Sequence, residues 1–556
     1  MSKLLSFFRR HKILTALGVL VIAALLFFYS LRRGPYHNYE LDFILPAPEA
    51  SVTPGQLEVG VAIRDVTPDM SQYDTWEDTT GTGRWDRKED RIIKRTDSRR
   101  FQPAWLAGFQ VWRPAKGVNN EQWVRAIALR NNGVTVVMVT IDSVGIYHND
   151  YITIRKMVSP TLDIDHILFS ATHSHSTICT MKLWSGNIPV LGYDDRYMKM
   201  LQQKAKEAIE EAYHNLQPAD MHCVTVEVPV EGFIHDSRKP VVFDKHMYLW
   251  RFTKPWTDET IATFVNWGNH PEVQDGRNHY LSSDFPHWLR LGLEQGVPNP
   301  NGVEGFGGVA LYFQGMIGGL MNPLRIDVPH RNGIHVFSER TFEKTESLGY
   351  NLAIIAANAL RGDEVWHNEN PFLSISARTI KAPMAGLFRY GIMLGLIHEG
   401  YYWGGYAKSE INVLRIGDVL VLTAPGEIYP EIVLGGIEAK PGRDFEIPPQ
   451  EVPPLMDEMT RHARQAFVVG VANDEIGYII PKSQWDTKPP HVYGDRPQYG
   501  EMNSGGPDVA PTIHRKSLEM LRAMNESFET IPPADDIEVA VAQPTGLPFL
   551  ETAQDN

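Results

Sequence analysis

The chain has 556 residues, which is more than one hydrophobic core usually organises, so we expect one large elaborated domain or two domains. Apolar residues make up 43% of the sequence and charged residues 22%, and there is no low-complexity tract or short repeat, which excludes a disordered protein and a repeat protein. A formal net charge of −14 argues against a nucleic-acid partner.

Residues 13–31 form an uncharged, mostly apolar run near the N-terminus. Its length is close to the ~20 residues that a membrane-spanning helix needs, and no small-residue cleavage site follows it, which favours an uncleaved anchor over a signal peptide. More basic residues precede the run than follow it, so the N-terminus is predicted to be cytoplasmic and the rest extracytoplasmic, either periplasmic or lumenal. We expect a single-pass protein with its stub and anchor in residues 1–34 and a linker in residues 35–56.

A single large domain of mixed α/β class is predicted over residues 57–530, with residues 531–556 as a C-terminal tail. Helical spacing predicts helices at 195–214 and 340–360, and Pro-rich stretches predict loops at 440–456 and 486–512. Apolar, β-branched runs predict buried strands at 59–63, 134–141, 166–172, 263–267, 309–313 and 413–425.

Only two cysteines occur, Cys179 and Cys223. Two cysteines are too few for a disulfide framework or a thiolate zinc site. We interpret them as small core residues, with a single bridge between them as the alternative.

Three of the strand-like runs lead into a residue that can bind a metal ion. The run at 166–172 precedes His173 and His175, the run at 263–267 precedes His270, and the run at 413–425 precedes Glu427. The ends of strands are where α/β folds usually place their sites. Taken singly, each residue has a plain structural interpretation: an ordinary histidine pair, a turn residue before proline, and a helix cap.

Two imidazoles and one carboxylate, with a position left for water, form a recurrent catalytic Zn²⁺ set. Such an ion lowers the pKa of its water toward ~7 and polarises a substrate carbonyl. Together the three strand ends therefore predict a zinc hydrolase.

Six separated motifs of the chain resemble, in the same order, those of the neutral ceramidase family, whose members are zinc-dependent amidases that cleave the N-acyl bond of ceramide. The resemblance covers roughly residues 57–515. The motifs are VGVAIRDVTPD (59–69), ATHSHS (171–176), NWGNHPE (266–272), QGMIGGLMNP (314–323), APGEIYPE (424–431) and GVANDEIGYI (470–479).

The resemblance implies roles for individual residues of this chain. It makes His173, His270 and Glu427 zinc ligands and adds Tyr478 as the fourth. It assigns His175 to hydrogen bonding with the substrate carbonyl or the developing oxyanion. It also implies that Arg238 and a later tyrosine line the site; Tyr499 is the better match for that tyrosine, and Tyr493 is its competitor. The structural alternatives are a core aromatic for Tyr478, a solvated charge for Arg238 and a loop anchor for Tyr499.

The chain departs from the family pattern at two places. The family carries a serine beside the zinc, and this chain has no serine in residues 314–323. Gly318 offers no nucleophile, so hydrolysis must rely on zinc-activated water, and Gly318-Gly319 is expected to leave room for a different substrate. The family also continues into an immunoglobulin-like domain, which we expect to be absent here, with only one short strand at 537–542.

The sequence as a whole predicts a membrane-anchored, zinc-dependent amidohydrolase. Its expected substrate is an amphiphilic, ceramide-like N-acylated lipid. One alternative is a zinc hydrolase of a non-lipid amide or ester, for which the aromatic segment at 398–406 offers rings that stack on a sugar. The other alternative is a catalytically inactive ceramidase-like binding protein.

Overall fold

The computed structural model describes residues 11–32, 36–47, 55–184, 194–369, 371–393, 401–402, 405–440, 444–445, 447–527 and 540–551. The helices are α1 (Lys12–Arg32), α2 (His148–Met157), α3 (Asp195–His214), α4 (Phe285–Gln295), α5 (Phe342–Ala359), α6 (Gly386–Met393), α7 (Pro430–Leu434), α8 (Leu455–Met459), α9 (Val509–Glu526) and α10 (Pro548–Glu551). The strands are β1 (Asp42–Leu45), β2 (Glu58–Asp65), β3 (Thr75–Glu77), β4 (Arg91–Ile93), β5 (Gly117–Val118), β6 (Trp123–Asn131), β7 (Val134–Ile141), β8 (His166–Ala171), β9 (Gln217–Pro218), β10 (Asp220–Glu227), β11 (His235–Asp236), β12 (His246–Thr253), β13 (Thr260–Trp267), β14 (Tyr280–Leu281), β15 (Val309–Gln314), β16 (Met321–Asn322), β17 (Val328–Pro329), β18 (Val336–Phe337), β19 (Trp366–His367), β20 (Leu373–Pro383), β21 (Tyr401–Tyr402), β22 (Tyr406–Ile416), β23 (Val419–Thr423), β24 (Glu427–Ile428), β25 (Gln465–Val469), β26 (Tyr478–Ile479) and β27 (Val541–Ala542).

Three main sheets organise the domain. The first has the strand order β9-β2-β6-β7-β8, the second β19-β10-β12-β13-β15 with β27 beside β10, and the third β1-β20-β22-β23-β25 with β21 beside β22. Most neighbours are antiparallel, but each sheet ends in one parallel pair: β7 with β8, β13 with β15, and β23 with β25. Parallel strands bring their carboxyl ends to the same edge, so each sheet delivers two adjacent strand ends.

The sheets meet in a shared core, and helices cover their other faces. In the core, Trp250 stacks on Phe264 with ring centroids 4.0 Å apart, and Phe467 of the third sheet lies 5.5 Å from Trp250. The helix α3 packs on the first sheet, α4 and α5 pack on the second, and α9 packs on the third. This layered arrangement is the predicted mixed α/β fold.

Most predicted elements occur where the sequence places them. The predicted helix at 195–214 is α3, and the predicted strand at 134–141 is β7. The run at 413–425 differs, because it contains the antiparallel strands β22 and β23. Gly417 adopts φ 54° in the turn between them, a backbone conformation that glycine adopts readily. The two cysteines are buried and free, as the core interpretation predicts.

The apolar run at 13–31 lies within helix α1, whose apolar side chains from Ile13 to Phe27 are largely exposed. Within the described ranges, no helix combines the length and apolarity that crossing a bilayer requires. The predicted membrane anchor, and the orientation inferred from it, are therefore not supported.

Segments predicted to lie outside the domain pack on it where they are described. In the predicted linker, β1 pairs with β20, and Lys408 donates hydrogen bonds to the backbone carbonyls of Tyr36 and His37 at 2.8 and 3.1 Å. In the predicted tail, β27 pairs with β10 and Leu547 is fully buried. Strand β27 confirms part of the strand predicted at 537–542; residues 537–539 lie outside the described ranges.

A buried ion pair connects the first sheet to helix α4, which packs on the second sheet. Asp142, directly after β7, accepts two hydrogen bonds of 2.8 Å from the Arg290 guanidinium. It also accepts from the Trp123 amide at 2.9 Å and the Ser283 hydroxyl at 2.8 Å. Burial acts to raise the pKa of Asp142, but Arg290 outweighs it and holds the pKa below its usual value.

We predict that Asp142→Asn destabilises the domain by about 3–5 kcal/mol, because it leaves the Arg290 charge buried without a counter-charge. Glu77→Gln is the matched control, since it breaks an exposed ion pair with Arg91 and should cost about 1 kcal/mol at most. Urea denaturation of the purified proteins measures both changes. Equal losses of unfolding free energy in the two variants would contradict a stabilising role for the ion pair between Asp142 and Arg290.

Candidate functional site

The loops after the three parallel strand pairs converge on one place. His173 follows β8, His270 follows β13 and Glu427 follows β23. Tyr478 follows β25, the parallel partner of β23. Each of these four residues follows a strand that belongs to a parallel pair. The carboxyl ends of these pairs bring together residues that are far apart in the sequence.

His173 is fixed in position by its backbone and by its ring. It adopts φ 65°, a left-handed conformation that turns the chain immediately beyond β8. Its Nδ1 lies 2.6 Å from the carbonyl oxygen of Val144, in the loop after the neighbouring strand β7. A carbonyl can only accept, so Nδ1 carries the proton and Nε2 keeps a free lone pair.

His270 repeats this arrangement in the second sheet. Its Nδ1 lies 2.6 Å from the carbonyl oxygen of Met321, and its Nε2 lies 2.9 Å from a Glu427 carboxylate oxygen. The same carboxylate oxygen is 3.6 Å from Nε2 of His173. Both imidazoles thus direct Nε2 toward one carboxylate.

Tyr478 and Glu427 are held together by their backbones. They face each other in the parallel bridge between β24 and β26. The Tyr478 hydroxyl lies 3.4 Å from Nε2 of His270. Burial, with the Glu427 charge in addition, raises the pKa of Tyr478 well above its usual value. The phenol is therefore neutral near pH 7 and offers an oxygen lone pair.

His175 completes a cluster of three buried histidines. One ring nitrogen from each of His173, His175 and His270 lies within 4.8 Å of the others, which is close enough for a shared metal ion. Nδ1 of His175 is 3.2 Å from a Glu272 carboxylate oxygen, but within the described residues neither of its ring nitrogens meets the geometry of a hydrogen bond. An unpartnered polar atom in a buried site is costly unless a ligand satisfies it.

The electrostatics of the cluster favour a cation among the rings. Burial lowers the pKa of His173 to about 4, so this imidazole is neutral near pH 7. Burial also acts to raise the pKa of Glu427, but His173 and His270 outweigh it and keep the carboxyl ionised. Burial acts to lower the pKa of His270 as well, but Glu427 outweighs it and raises the pKa above its usual value. The site therefore presents a buried negative charge beside the neutral imidazoles of His173 and His175 and beside His270, whose protonated form that charge favours.

The cluster lies at the base of a cavity with mostly apolar walls. The empty space amounts to about 810 Å³, including the solvent-open mouth, which is within the usual range for small-molecule sites. His173, His175, Glu427 and Tyr478 supply the polar end. The apolar lining is formed by Phe109, Met181, Leu183, Trp184, Met384, Phe388 and Ile392.

Arg238 is placed differently from the prediction that it lines the site. It is buried, but it is not among the residues that line the described cavity. Its guanidinium donates to both Glu501 oxygens at 2.8 and 2.9 Å and to the Tyr499 carbonyl at 2.7 Å. Arg238 therefore positions the loop that carries Tyr499.

Tyr499, rather than Tyr493, reaches the cavity. The Tyr499 ring lines the cavity 6.0 Å from the Tyr478 ring, and its hydroxyl accepts a hydrogen bond of 2.6 Å from Asn503. Tyr493 instead donates its hydroxyl proton to Glu438. The aromatic segment at 398–406 lies largely outside the described residues.

Two acidic residues near the cluster were missed by sequence reasoning. Glu272 contacts His175, and Glu475 lines the cavity with one oxygen accepting from the Gly477 amide at 2.9 Å. Burial raises the pKa of Glu475 well above its usual value. Their positions, two residues after His270 and three before Tyr478, are the signal that could have indicated them.

The expectation that Gly318 leaves room for a substrate is wrong. The Gly318 amide donates to the Ile428 carbonyl at 2.9 Å. A Cβ at this position would lie 2.3 Å from Cδ2 of Tyr429. The space is filled by protein, so the loop packs against the segment that carries Glu427.

We predict that Gly318→Ser destabilises the protein by about 1–3 kcal/mol, because the added side chain overpacks the site. The variant should not gain an active-site nucleophile. Gly117→Ser is the control, because its Cβ would meet only the Tyr280 ring at 3.5 Å. Thermal unfolding followed by circular dichroism measures both variants. A Gly318→Ser protein as stable as the wild type would show that the loop has more freedom than the packing indicates.

No protein-family model and no curated protein matches the chain in sequence. Solved structures with a similar fold include two ceramidases. A neutral ceramidase from Pseudomonas aeruginosa gives a TM-score of 0.59 at 15% identity, over 89% of this chain and 77% of the other. A ceramidase complexed with C2 gives a TM-score of 0.59 at 14% identity, over 88% and 77% of the two chains. The chain thus has the fold of the neutral ceramidases.

Proposed function

We propose that the chain is a zinc-dependent hydrolase that cleaves the amide bond of an N-acylated, ceramide-like lipid. The observation that carries the proposal is the convergence of four residues at a cavity with mostly apolar walls: His173, Glu427 and Tyr478 line the cavity, and the buried His270 contacts Glu427 and Tyr478. The shared fold with two ceramidases supports the reaction class.

The residues present suit a zinc ion. Each Nδ1 proton of His173 and His270 is held by a backbone carbonyl, which leaves both Nε2 atoms as donors of the type zinc prefers. At 2.9 Å from Glu427, Nε2 of His270 needs either a second ring proton or a cation beside it. His173, His270, Glu427 and Tyr478 would hold a divalent ion, whose positive charge would stand in for that proton.

When bound, zinc supplies Lewis-acid chemistry, activating water and polarising a carbonyl. The protein supplies orientation: Nε2 of His175 has no partner within the described residues and can hydrogen-bond the carbonyl oxygen of the scissile amide. For Nε2 to donate this hydrogen bond, Nδ1 must be the unprotonated nitrogen of the neutral ring. The Glu272 carboxyl lies 3.2 Å from Nδ1, and burial raises its pKa to about 7, so Glu272 can hold a proton and donate it to Nδ1. The apolar walls bind an acyl or alkyl chain and keep bulk water from the amide.

We predict that the purified full chain contains stoichiometric zinc and hydrolyses fluorescent N-acyl sphingosine, and that a chelator abolishes the activity until zinc is restored. His173→Ala should lose both metal and turnover, because it removes a ligand. The exposed His367→Ala is the control and should keep both. Elemental analysis and a product assay give the two readouts. Zinc-replete protein that cleaves no N-acyl lipid would contradict the lipid amidase proposal.

His175→Ala separates the proposed ligand set from one built on three histidines. With zinc on the proposed four residues, this variant retains metal and loses turnover by roughly 100-fold or more, as expected when an oxyanion donor is removed. Loss of the metal in His175→Ala would instead place His175 in the first coordination sphere.

The apolar wall predicts dependence on acyl-chain length. Phe388→Ser should raise KM for a long-chain N-acyl substrate by roughly tenfold or more, because a buried Phe contact is worth about 1.5–3 kcal/mol. A substrate with a two-carbon acyl group should be affected much less. Tyr390→Ser is the matched control, since Tyr390 is on the same helix α6 but 60% exposed and outside the cavity lining. Equal KM changes for both substrates would argue against a chain-binding wall.

A further inference from the structure

A second cavity shares one loop with the candidate site. Gly108 and Phe109 line the candidate site, and the next residues along the chain, Gln110 and Trp112, line the second cavity. The remaining lining includes Arg84, Trp85, Arg87 and His279. One short loop therefore separates two cavities with different chemistry.

Packed aromatic rings give the second cavity rigid, flat surfaces. Trp85 packs against Phe101 and Trp76 with ring centroids 5.1 and 5.4 Å apart. Trp112 packs edge-on against Trp105 at 6.2 Å and adopts φ 68°, which a bulky residue rarely does. Partly exposed, immobilised tryptophan rings offer an apolar face to a ligand at low cost in conformational entropy.

The charged side chains of the second cavity are both arginines. Within the described residues, neither Arg84 nor Arg87 has a carboxylate at ion-pair distance, although the chain carries a net charge of −14. Arg87 lies over the Trp112 ring at 5.3 Å. A guanidinium matches a carboxylate with two parallel hydrogen bonds, and two of them disfavour a cationic ligand.

Two uncharged polar groups complete the cavity. Nδ1 of His279 lies 2.8 Å from the Pro114 carbonyl, so it carries the proton and leaves Nε2 as an acceptor. The Gln110 amide nitrogen donates to the Gly276 carbonyl at 2.6 Å, which leaves its oxygen as a second acceptor. Acceptors beside flat rings suit a ligand with several hydroxyl groups.

We propose that the second cavity binds a saccharide that carries a carboxylate, with the sugar faces on Trp85 and Trp112 and the carboxylate on Arg84 and Arg87. Such a group occurs in free acidic glycans and in the headgroups of acidic glycolipids. The glycolipid version rests on the proposed function, because it places the N-acyl chain of the same molecule in the neighbouring candidate site.

The first test is a calorimetric titration of the full chain with sialyllactose and with lactose. We expect saturable binding of sialyllactose and at least roughly tenfold weaker binding of lactose, because lactose lacks the carboxylate that the two guanidinium groups would bind. Combining Arg84→Gln with Arg87→Gln should weaken sialyllactose binding by roughly tenfold or more. Arg99→Gln, at an exposed arginine outside the cavity lining, should leave it unchanged.

The second test separates the two sources of the sugar. Phosphatidylcholine vesicles containing sialyllactosylceramide are compared with vesicles containing lactosylceramide in a flotation assay. Preferential binding to the sialyllactosylceramide vesicles that the double arginine variant loses supports the glycolipid as the source. Binding of free sialyllactose without preferential binding to these vesicles supports a free glycan as the source. Neither kind of binding, or binding that the double variant retains, overturns the proposal. These readouts need no hydrolysis, so they stand or fall separately from the proposed reaction.

Discussion

The candidate site depends on hydrogen bonds between loops that follow paired parallel strands. Nδ1 of His173 contacts the Val144 carbonyl in the loop after β7, and Nδ1 of His270 contacts the Met321 carbonyl after β15. In the third sheet, the backbones of Glu427 and Tyr478 pair directly. Each contact connects the segments that follow the two strands of one parallel pair. The parallel pairing therefore fixes both where each donor lies and which of its atoms faces the centre.

This arrangement has an energetic consequence for the protein without a ligand. A buried carboxylate and three buried imidazoles are costly unless each charge and lone pair is matched. The Glu427 carboxylate lies 2.9 Å from Nε2 of His270, a contact that needs a second ring proton or a cation, and the Nε2 of His175 is left without a partner in the described part of the chain. The hydrogen bonds from Nδ1 of His173 and His270 to backbone carbonyls hold these two rings in place. A cation beside Nε2 of His270 would supply the charge that the protein alone leaves unmatched.

The sequence was sufficient for the strands and for the meeting of His173, His270 and Glu427, because apolar runs mark buried strands and α/β sites form at strand ends. It was not sufficient for Arg238, whose bidentate partner Glu501 is 263 residues away in the chain. Contacts over such separations leave no local pattern. The division of the 413–425 run had a signal, since Gly417 and Asp418 favour a turn.

The missing serine shows how a local comparison of motifs can mislead. A glycine in place of a serine suggests an open space, yet the space at Gly318 is occupied by the Tyr429 ring and the Ile428 backbone. The Tyr429 ring in turn lies 5.5 Å from the guanidinium carbon of Arg238 and 6.1 Å from the Tyr478 ring. The glycine loop thus supports the segment that presents Glu427 and Tyr478. A serine side chain would not fit at this position, and the glycine instead lets the loop pack directly against that segment.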